Sequence, residues 1–223
     1  MAKTAPIAGT SDIFPDAAGG WQELERAAHE VFPRYGYGEL RTPVFERTEL
    51  FARSIGNETD IVQKEMYTFE DNGGRSLTLR PEGTAGVMRA LVNRGIPQGD
   101  EHRVYYLGPM FRGERPAAGR KRQFHQIGVE CVGKCAPAID VECIAMLLDY
   151  LEHIGLGDLR LLVNTRGVEA DRAPVAEALH AYFSKRIGDM CEDCQRRLDT
   201  NIWRILDCKE EACQQIIGDA PEI

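Results

Sequence analysis

The apolar positions of this chain keep two different rhythms, and the switches between them mark its elements. Trp21, Leu24, Ala28, Val31 and Phe32 recur at helical spacing, and Pro33 and Gly36 end that run. Gly38–Pro43 reads as short and extended. Met66–Glu70 and Arg75–Arg80 flank Asp71-Asn-Gly-Gly74, a strong hairpin signal. Pro81 then opens a helix from about Thr84 to Asn93, closed by Gly95. His102–Leu107 and Gln123–Glu130 alternate as two strands. Ile139–Ile154 is mostly apolar and stops at Gly155, which predicts a largely buried helix. Leu159–Val163 reads as a further strand. Past Asn164-Thr-Arg-Gly167 the character changes: Asp171–Arg186 reads as an amphipathic helix, and the remaining residues are polar and rich in cysteine. These blocks predict an α+β fold with a mostly antiparallel sheet, not repeated βαβ units. They also predict a boundary near residue 168, giving domains over 1–168 and 169–223.

Composition narrows the class without naming a function. At 223 residues, 43% hydrophobic and 28% charged, the chain suits one large soluble domain, or one and a fraction. A net charge of -8 argues against a general nucleic-acid binder and leaves room only for local basic patches. The sequence holds no apolar run long enough to span a bilayer and no secretory h-region at its start. Seven cysteines in such a chain point to reduced thiols and a cytoplasmic protein.

The local basic patch lies between the two central strands. Arg112, Arg115, Arg120 and Arg122 surround a turn at Pro116-Ala-Ala-Gly119. Successive strand residues face opposite sides. In the second strand Arg122, Phe124, Gln126, Gly128 and Glu130 therefore share one face, while His125, Ile127, Val129 and Cys131 share a core-like one. The first face offers a cation, an aromatic ring, an amide and a carboxylate around a glycine that leaves room on the sheet. Guanidinium groups favour phosphate. The pattern suits a polyphosphate held beside a small polar ligand.

Arg112-Gly-Glu114, a loop, then Arg120-x-Arg-Gln-Phe-His-Gln126 resembles the second signature motif of class II aminoacyl-tRNA synthetases, and more narrowly of the histidine–tRNA ligase family. Leu79-Arg-Pro-Glu-Gly-Thr-Ala85 is similar to that family's amino-acid-binding segment. Gly38-x-x-x-Thr-Pro43 resembles its first motif, and Ile7-x-Gly-Thr-x-Asp12 its N-terminal opening. The resemblance covers essentially the whole chain and implies the class II synthetase fold. The family's third motif, two histidine-specific segments and the anticodon-binding domain do not occur in these residues. The chain is therefore expected to be an N-terminal piece of a longer enzyme, its fold incomplete at the C-terminus, impaired or inactive alone.

The resemblance also implies roles. Arg112 would contact the α-phosphate of ATP and the substrate carboxylate, which makes it the catalytic residue. Glu114 would lie near the adenine, Phe124 would stack on it, and Arg120 would reach the outer phosphates, with Mg2+ accompanying ATP. Glu82, Gly83, Thr84 and Gln126 would hold L-histidine by its ammonium and carboxylate, and Glu130 would accept from its imidazole N–H. His125 is expected to be structural. Arg115 and Arg122 would meet the acceptor end of tRNA(His), although Ala117-Ala118 and Lys121 depart from residues frequent in relatives there. A homodimer is implied for the full-length protein. The competing reading is a non-catalytic paralogue of the same fold that regulates ATP phosphoribosyltransferase; the retained Arg112, Glu114, Arg120 and Glu130 favour the enzyme.

Cys191, Cys194, Cys208 and Cys213, in the segment that resembles the start of the family's insertion domain, belong to none of these motifs and are spaced C-x2-C, thirteen residues, C-x4-C. Paired cysteines across a short segment are a zinc pattern. The last spacing is looser than a second C-x2-C, and the family's chemistry needs no zinc. Reduced, buried thiols are therefore the preferred reading and a structural zinc site the alternative.

Overall fold

The computed structural model describes residues 4–56, 59, 61–96, 99–117, 119–164 and 167–220. The chain divides into two compact units, Met1–Leu159 and Arg160–Ile223. That division falls earlier than the boundary expected near 168.

The first unit begins with α1 (Pro15–Val31), which has its proline where the missing N–H costs nothing. Ala27, Ala28 and Val31 are its buried stripe. A 3-10 turn over Phe32–Tyr35 ends at Gly36, whose φ of 79° lets the chain leave the helix. Strand β1 (Gly38–Glu39) runs parallel to β5 (His102–Phe111), and β6 (Gln123–Val132) pairs antiparallel with β5 over ten residues of each. A second sheet, in the order β2 (Phe45–Arg47), β4 (Ser76–Leu79), β3 (Thr68–Glu70), is antiparallel throughout. The turn between β3 and β4 is closed by Asp71, whose Oδ1 accepts the N–H groups of Gly73 and Arg75, both at 2.9 Å. Helices α2 (Thr48–Ile55), α3 (Thr84–Arg94) and α4 (Pro137–His153) complete the unit. The architecture is α+β, a mostly antiparallel sheet system flanked by helices.

The core lies between α1, α4 and one face of the β5–β6 hairpin. Ala27, Ala28, Val31 and Phe32 meet Tyr105, Met146 and Tyr150, with Leu107, Val129 and Cys131 packed beside them. The ring of Phe32 sits 5.1 Å from that of Tyr105 and 5.4 Å from that of Tyr150, within the range of favourable aromatic pairs.

Two expectations fail. Helix α4 buries only Met146 and Tyr150, whereas Val141 and Leu147 are more than half exposed. Only one stripe of the helix faces α1 and the sheet, so apolar composition overstated its burial. Leu159–Val163 is not a strand, because it pairs with no strand among the described residues; Leu162 and Val163 are largely exposed. Period-two apolar character cannot form a strand without a neighbouring backbone to bond.

The second unit packs α5 (Glu169–Phe183), α6 (Glu192–Thr200) and α7 (Glu211–Gly218) with a 3-10 turn at Ile202–Ile205. Helix α5 stops at Phe183, short of the expected Arg186, and turns Val175, Ala176, Leu179, Tyr182 and Phe183 inward. The Tyr182 hydroxyl donates to the Ile216 carbonyl at 2.8 Å and ties α5 to α7.

The seam between the two sheets is Arg80. It is only 7% exposed, and its guanidinium donates from Nε to the Pro109 carbonyl at 2.8 Å and from Nη1 to the Thr42 carbonyl at 3.1 Å and hydroxyl at 3.2 Å. Its main chain bonds Val44 and Phe111, both at 2.9 Å. Arg80→Met leaves the Thr42 and Pro109 carbonyls without their donor. It should cost the first unit about 2–4 kcal/mol, the range for losing charged hydrogen bonds in an interior. Urea unfolding in a Trp203→Phe background, with Trp21 as reporter, measures this; a loss below about 1 kcal/mol would remove Arg80 from its assigned role.

Candidate active site

The register of the hairpin decides what faces what. Gly128 lies opposite Tyr106, Gln126 opposite Gly108, Phe124 opposite Met110 and Glu130 opposite Val104. Directly opposed residues share a face, so the alternation expected for β6 holds. On the reverse side His125 rests against Trp21, ring centroids 4.5 Å apart, and Val129 and Cys131 join the core, but His125 and Ile127 are exposed, so the face expected to be core-like packs only toward its Cys131 end. Partial burial lowers the pKa of His125 and favours its neutral form. It stands on the face away from Gln126.

The arginine loop is held from both sides. Arg112 N–H donates to the Arg122 carbonyl at 2.9 Å, carrying the ladder one step past the strands. The Gly9 carbonyl accepts from Arg122 at 2.8 Å and from Gln123 at 3.2 Å, and Lys121 Nζ donates to Ser11 at 3.3 Å. A Cβ at Gly9 would lie 2.9 Å from Arg122, at a φ of 86° that favours glycine. The Ile7-x-Gly-Thr-x-Asp12 opening is therefore a strap across the loop. Residues 117 and 120 bridge each other around Gly119, which has a φ of 76°. Ala118 lies outside the described residues.

Arg112 donates from Nε to the Pro81 carbonyl at 3.0 Å, and its guanidinium stands 5.2 Å over the Phe124 ring. Glu114 lies between two cations, 3.9 Å from Arg112 and 3.7 Å from Arg120. Arg122 donates to the Glu114 carbonyl at 3.3 Å, while Arg115 and Arg120 project into solvent. The structure thus brings Arg112, Glu114, Arg120, Arg122 and Phe124 into one neighbourhood at the mouth of the hairpin.

Farther along the same face, α3 closes on the strand. The Glu82 carboxylate accepts from the N–H of Thr84 at 2.5 Å and of Ala85 at 2.9 Å, so it caps α3. The Thr84 hydroxyl donates to Glu130 at 2.7 Å. Between these groups lies Tyr106. Added Cβ atoms would come within 2.1 Å of its ring at Gly83 and 2.4 Å at Gly128. Two glycines, one on each element, make the slot that holds one phenol. Burial, then the charge of Glu130, raises its pKa and keeps it protonated. Tyr106 was not among the sequence candidates; its signal was a glycine opposite an aromatic in the hairpin register. Near the middle of the face, Oε1 of Gln126 is buried without a hydrogen-bond partner among the described residues. Such an orphan calls for an explanation, and a ligand is one.

Comparison with known proteins fits this arrangement. A family model for histidyl-tRNA synthetase matches residues 9–181. The histidine–tRNA ligase of Syntrophotalea carbinolica is 50% identical over 218 residues, covering 97% of this chain and 52% of that protein. That of Moorella thermoacetica is 52% identical over 220 residues, covering 96% and 51%. The crystal structure of apo Staphylococcus aureus histidyl-tRNA synthetase superimposes with a TM-score of 0.70 at 39% identity, over 98% of this chain and 54% of that one. An ATP phosphoribosyltransferase regulatory subunit/histidyl-tRNA synthetase from Bacillus halodurans shares the fold at a TM-score of 0.62 and 19% identity, over 98% and 63%. The chain spans about half the length of the curated relatives it matches. By sequence across nearly all its residues and by fold, this chain belongs to the histidyl-tRNA synthetase family.

Proposed function

We propose that the chain forms the first part of the catalytic domain of a histidine–tRNA ligase, which activates L-histidine with ATP and transfers it to tRNA(His). The observation that carries this reading is the single sheet face on which Arg112, Phe124, Gln126 and Glu130 follow one another, with an unpartnered Gln126 acceptor in the middle. At roughly 3.3 Å per residue, Phe124 and Glu130 stand about 20 Å apart, which separates a nucleotide end from an amino-acid end.

On this reading a carboxylate oxygen of histidine attacks the α-phosphorus of ATP and pyrophosphate leaves. Arg112 neutralises the charge growing on the α-phosphate, and Arg120 takes the outer phosphates with Mg2+. Phe124 stacks on adenine, with Glu114 near that end. Gln126 and the Glu82–Gly83–Thr84 turn hold the ammonium and carboxylate; Glu130 accepts the imidazole N–H. A terminal ribose hydroxyl of the tRNA then attacks the acyl carbon and AMP leaves, with Arg115 and Arg122 toward the acceptor end. Most of this is positioning, which is where a rigid hairpin contributes. The four retained residues Arg112, Glu114, Arg120 and Glu130 favour the ligase over a regulatory paralogue. Val44 and Phe45, exposed at the start of β2, suit the homodimer seam proposed for the complete protein. No helix among the described residues is long and apolar enough to cross a membrane, in keeping with a cytoplasmic ligase.

In the full-length protein, Arg112→Ala should lower kcat for histidine-dependent pyrophosphate–ATP exchange by about 100- to 1,000-fold. Glu130→Gln should instead raise the KM for histidine by about tenfold or more, because a reader of the side chain is lost. Unchanged histidine kinetics in Glu130→Gln would dismiss its role. Gly128→Ala separates site from scaffold. Its Cβ drives Tyr106 out of its slot, so the histidine KM should rise by about tenfold, while overpacking lowers the urea midpoint by the equivalent of no more than about 1–3 kcal/mol of stability and the protein stays folded under assay conditions. Lost stability with an unchanged histidine KM would mean that Tyr106 is only packing.

A further inference from the structure

The ligase reading leaves four cysteines of the second unit unused. Cys191 is the N-cap of α6 and Cys194 lies one turn inside it; Cys208 follows the 3-10 turn, and Cys213 lies in the first turn of α7. Three distant stretches of backbone thus deliver their thiols to one point. The four Sγ atoms all lie within 4.8 Å of one another, and Cys191 and Cys208 are 3.8 Å apart. Tetrahedral zinc with Zn–S bonds of about 2.3 Å needs sulfur pairs about 3.8 Å apart. One pair already has that spacing, and the rest need only a small contraction.

We propose that Cys191, Cys194, Cys208 and Cys213 form a structural four-thiolate zinc site that holds the second unit folded. The looser C-x4-C spacing, which favoured plain buried thiols, loses its force because α7 swings Cys213 back toward α6. The Cys191 N–H donates to Cys213 Sγ at 3.2 Å, the kind of N–H···S contact that orients a metal-bound thiolate. All four cysteines are free, so no disulfide explains the cluster. Cys194, Cys208 and Cys213 are buried among Leu179, Phe183, Met190 and Ile205, a small core in which four thiols otherwise face one another. An open cleft of about 510 Å³ reaches Cys191 and Cys208 and has Arg197 and Lys209 in its wall. It provides an entry path, and because Glu192, Asp193, Asp207 and Glu210 outnumber those two cations in the wall, it favours the approach of a dication. The donor set is all sulfur, and zinc in it is redox-silent and coordinatively closed. On binding, each thiol gives up its proton to solvent and no electron is transferred.

The test uses the full chain, purified without a metal-affinity tag and kept reduced. Elemental analysis should find about one zinc per chain. Capping the thiols with a mercurial should release that zinc to an indicator dye. Replacement by Co2+ should give the ligand-field and thiolate charge-transfer bands of a tetrahedral sulfur site. Cys208→Ser should lose the metal and lower the thermal midpoint, whereas Cys135→Ser, at an exposed cysteine of the first unit, should keep both. If Cys208→Ser is insoluble, Cys191→His serves instead: it should retain zinc while shifting the cobalt spectrum. Protein without zinc that takes up neither zinc nor cobalt after anaerobic reduction, with these thiols titrating as fast as Cys135, overturns the site. Bound iron in place of zinc overturns the assignment of the metal.

Discussion

A guanidinium buried at the junction of two sheets sets the geometry of the first unit. Arg80 pairs with no carboxylate among the described residues; its donors are spent on the Thr42 and Pro109 carbonyls and the Thr42 hydroxyl. Burying such a cation is costly, and burial lowers its pKa, so the carbonyls must be fixed where it needs them. That requirement pins the segment after β1, the end of β4 and the end of β5 to one another. Gly108 is part of the same constraint, since a Cβ there would lie 2.5 Å from Arg80 Nη2. The adjoining Pro81 carbonyl in turn receives Arg112, so the catalytic cation proposed here is aimed by the same junction.

The candidate site therefore hangs on backbone more than on salt bridges. The pairs of Glu114 with Arg112 and Arg120 are long, at 3.9 and 3.7 Å, and Arg120 is largely exposed. Pairs of this kind contribute little to stability. The loop is fixed instead by the continuation of the strand ladder, the Gly9 strap and the Pro81 contact. Arginines held loosely at their tips and firmly at their roots can reorganise around phosphate without unfolding the sheet.

Much of the first unit was legible in the sequence because its signals are local. Asp71-Asn-Gly-Gly74 closes its turn through its own side chain, and Pro81 and Gly95 bracket α3 as read. The strand alternation placed Phe124, Gln126 and Glu130 together before any register was known. The features that escaped depend on partners distant in sequence. The slot for Tyr106 needs Gly83 and Gly128 at once, and the burial of Arg80 needs Thr42 and Pro109. Leu159–Val163 carries the composition of a strand but has no neighbour among the described residues to pair with, and Val141 and Leu147 carry that of a core but face outward. The cysteine spacing left the choice between ligand set and buried thiols open. Only the fold of α6 and α7 around it shows the sulfurs converging.

The ten-residue register of the hairpin has a consequence for how this chain can vary. Every side chain of β6 proposed to touch substrate alternates with one on the opposite side of the sheet, where Val129 and Cys131 pack against the core and His125 and Ile127 are exposed. Inserting or deleting a single residue inside Gln123–Val132 would exchange the two sets on one side of the change. A change after Gln126, for example, would turn Ile127 and Val129 toward the ligand and Glu130 away from it while Phe124 and Gln126 kept their places. Length changes in the turn around Gly119 leave the parity of both strands intact. The hairpin thus behaves as a reading frame, in which the turn can drift in length while the strands accept substitution but not a shift.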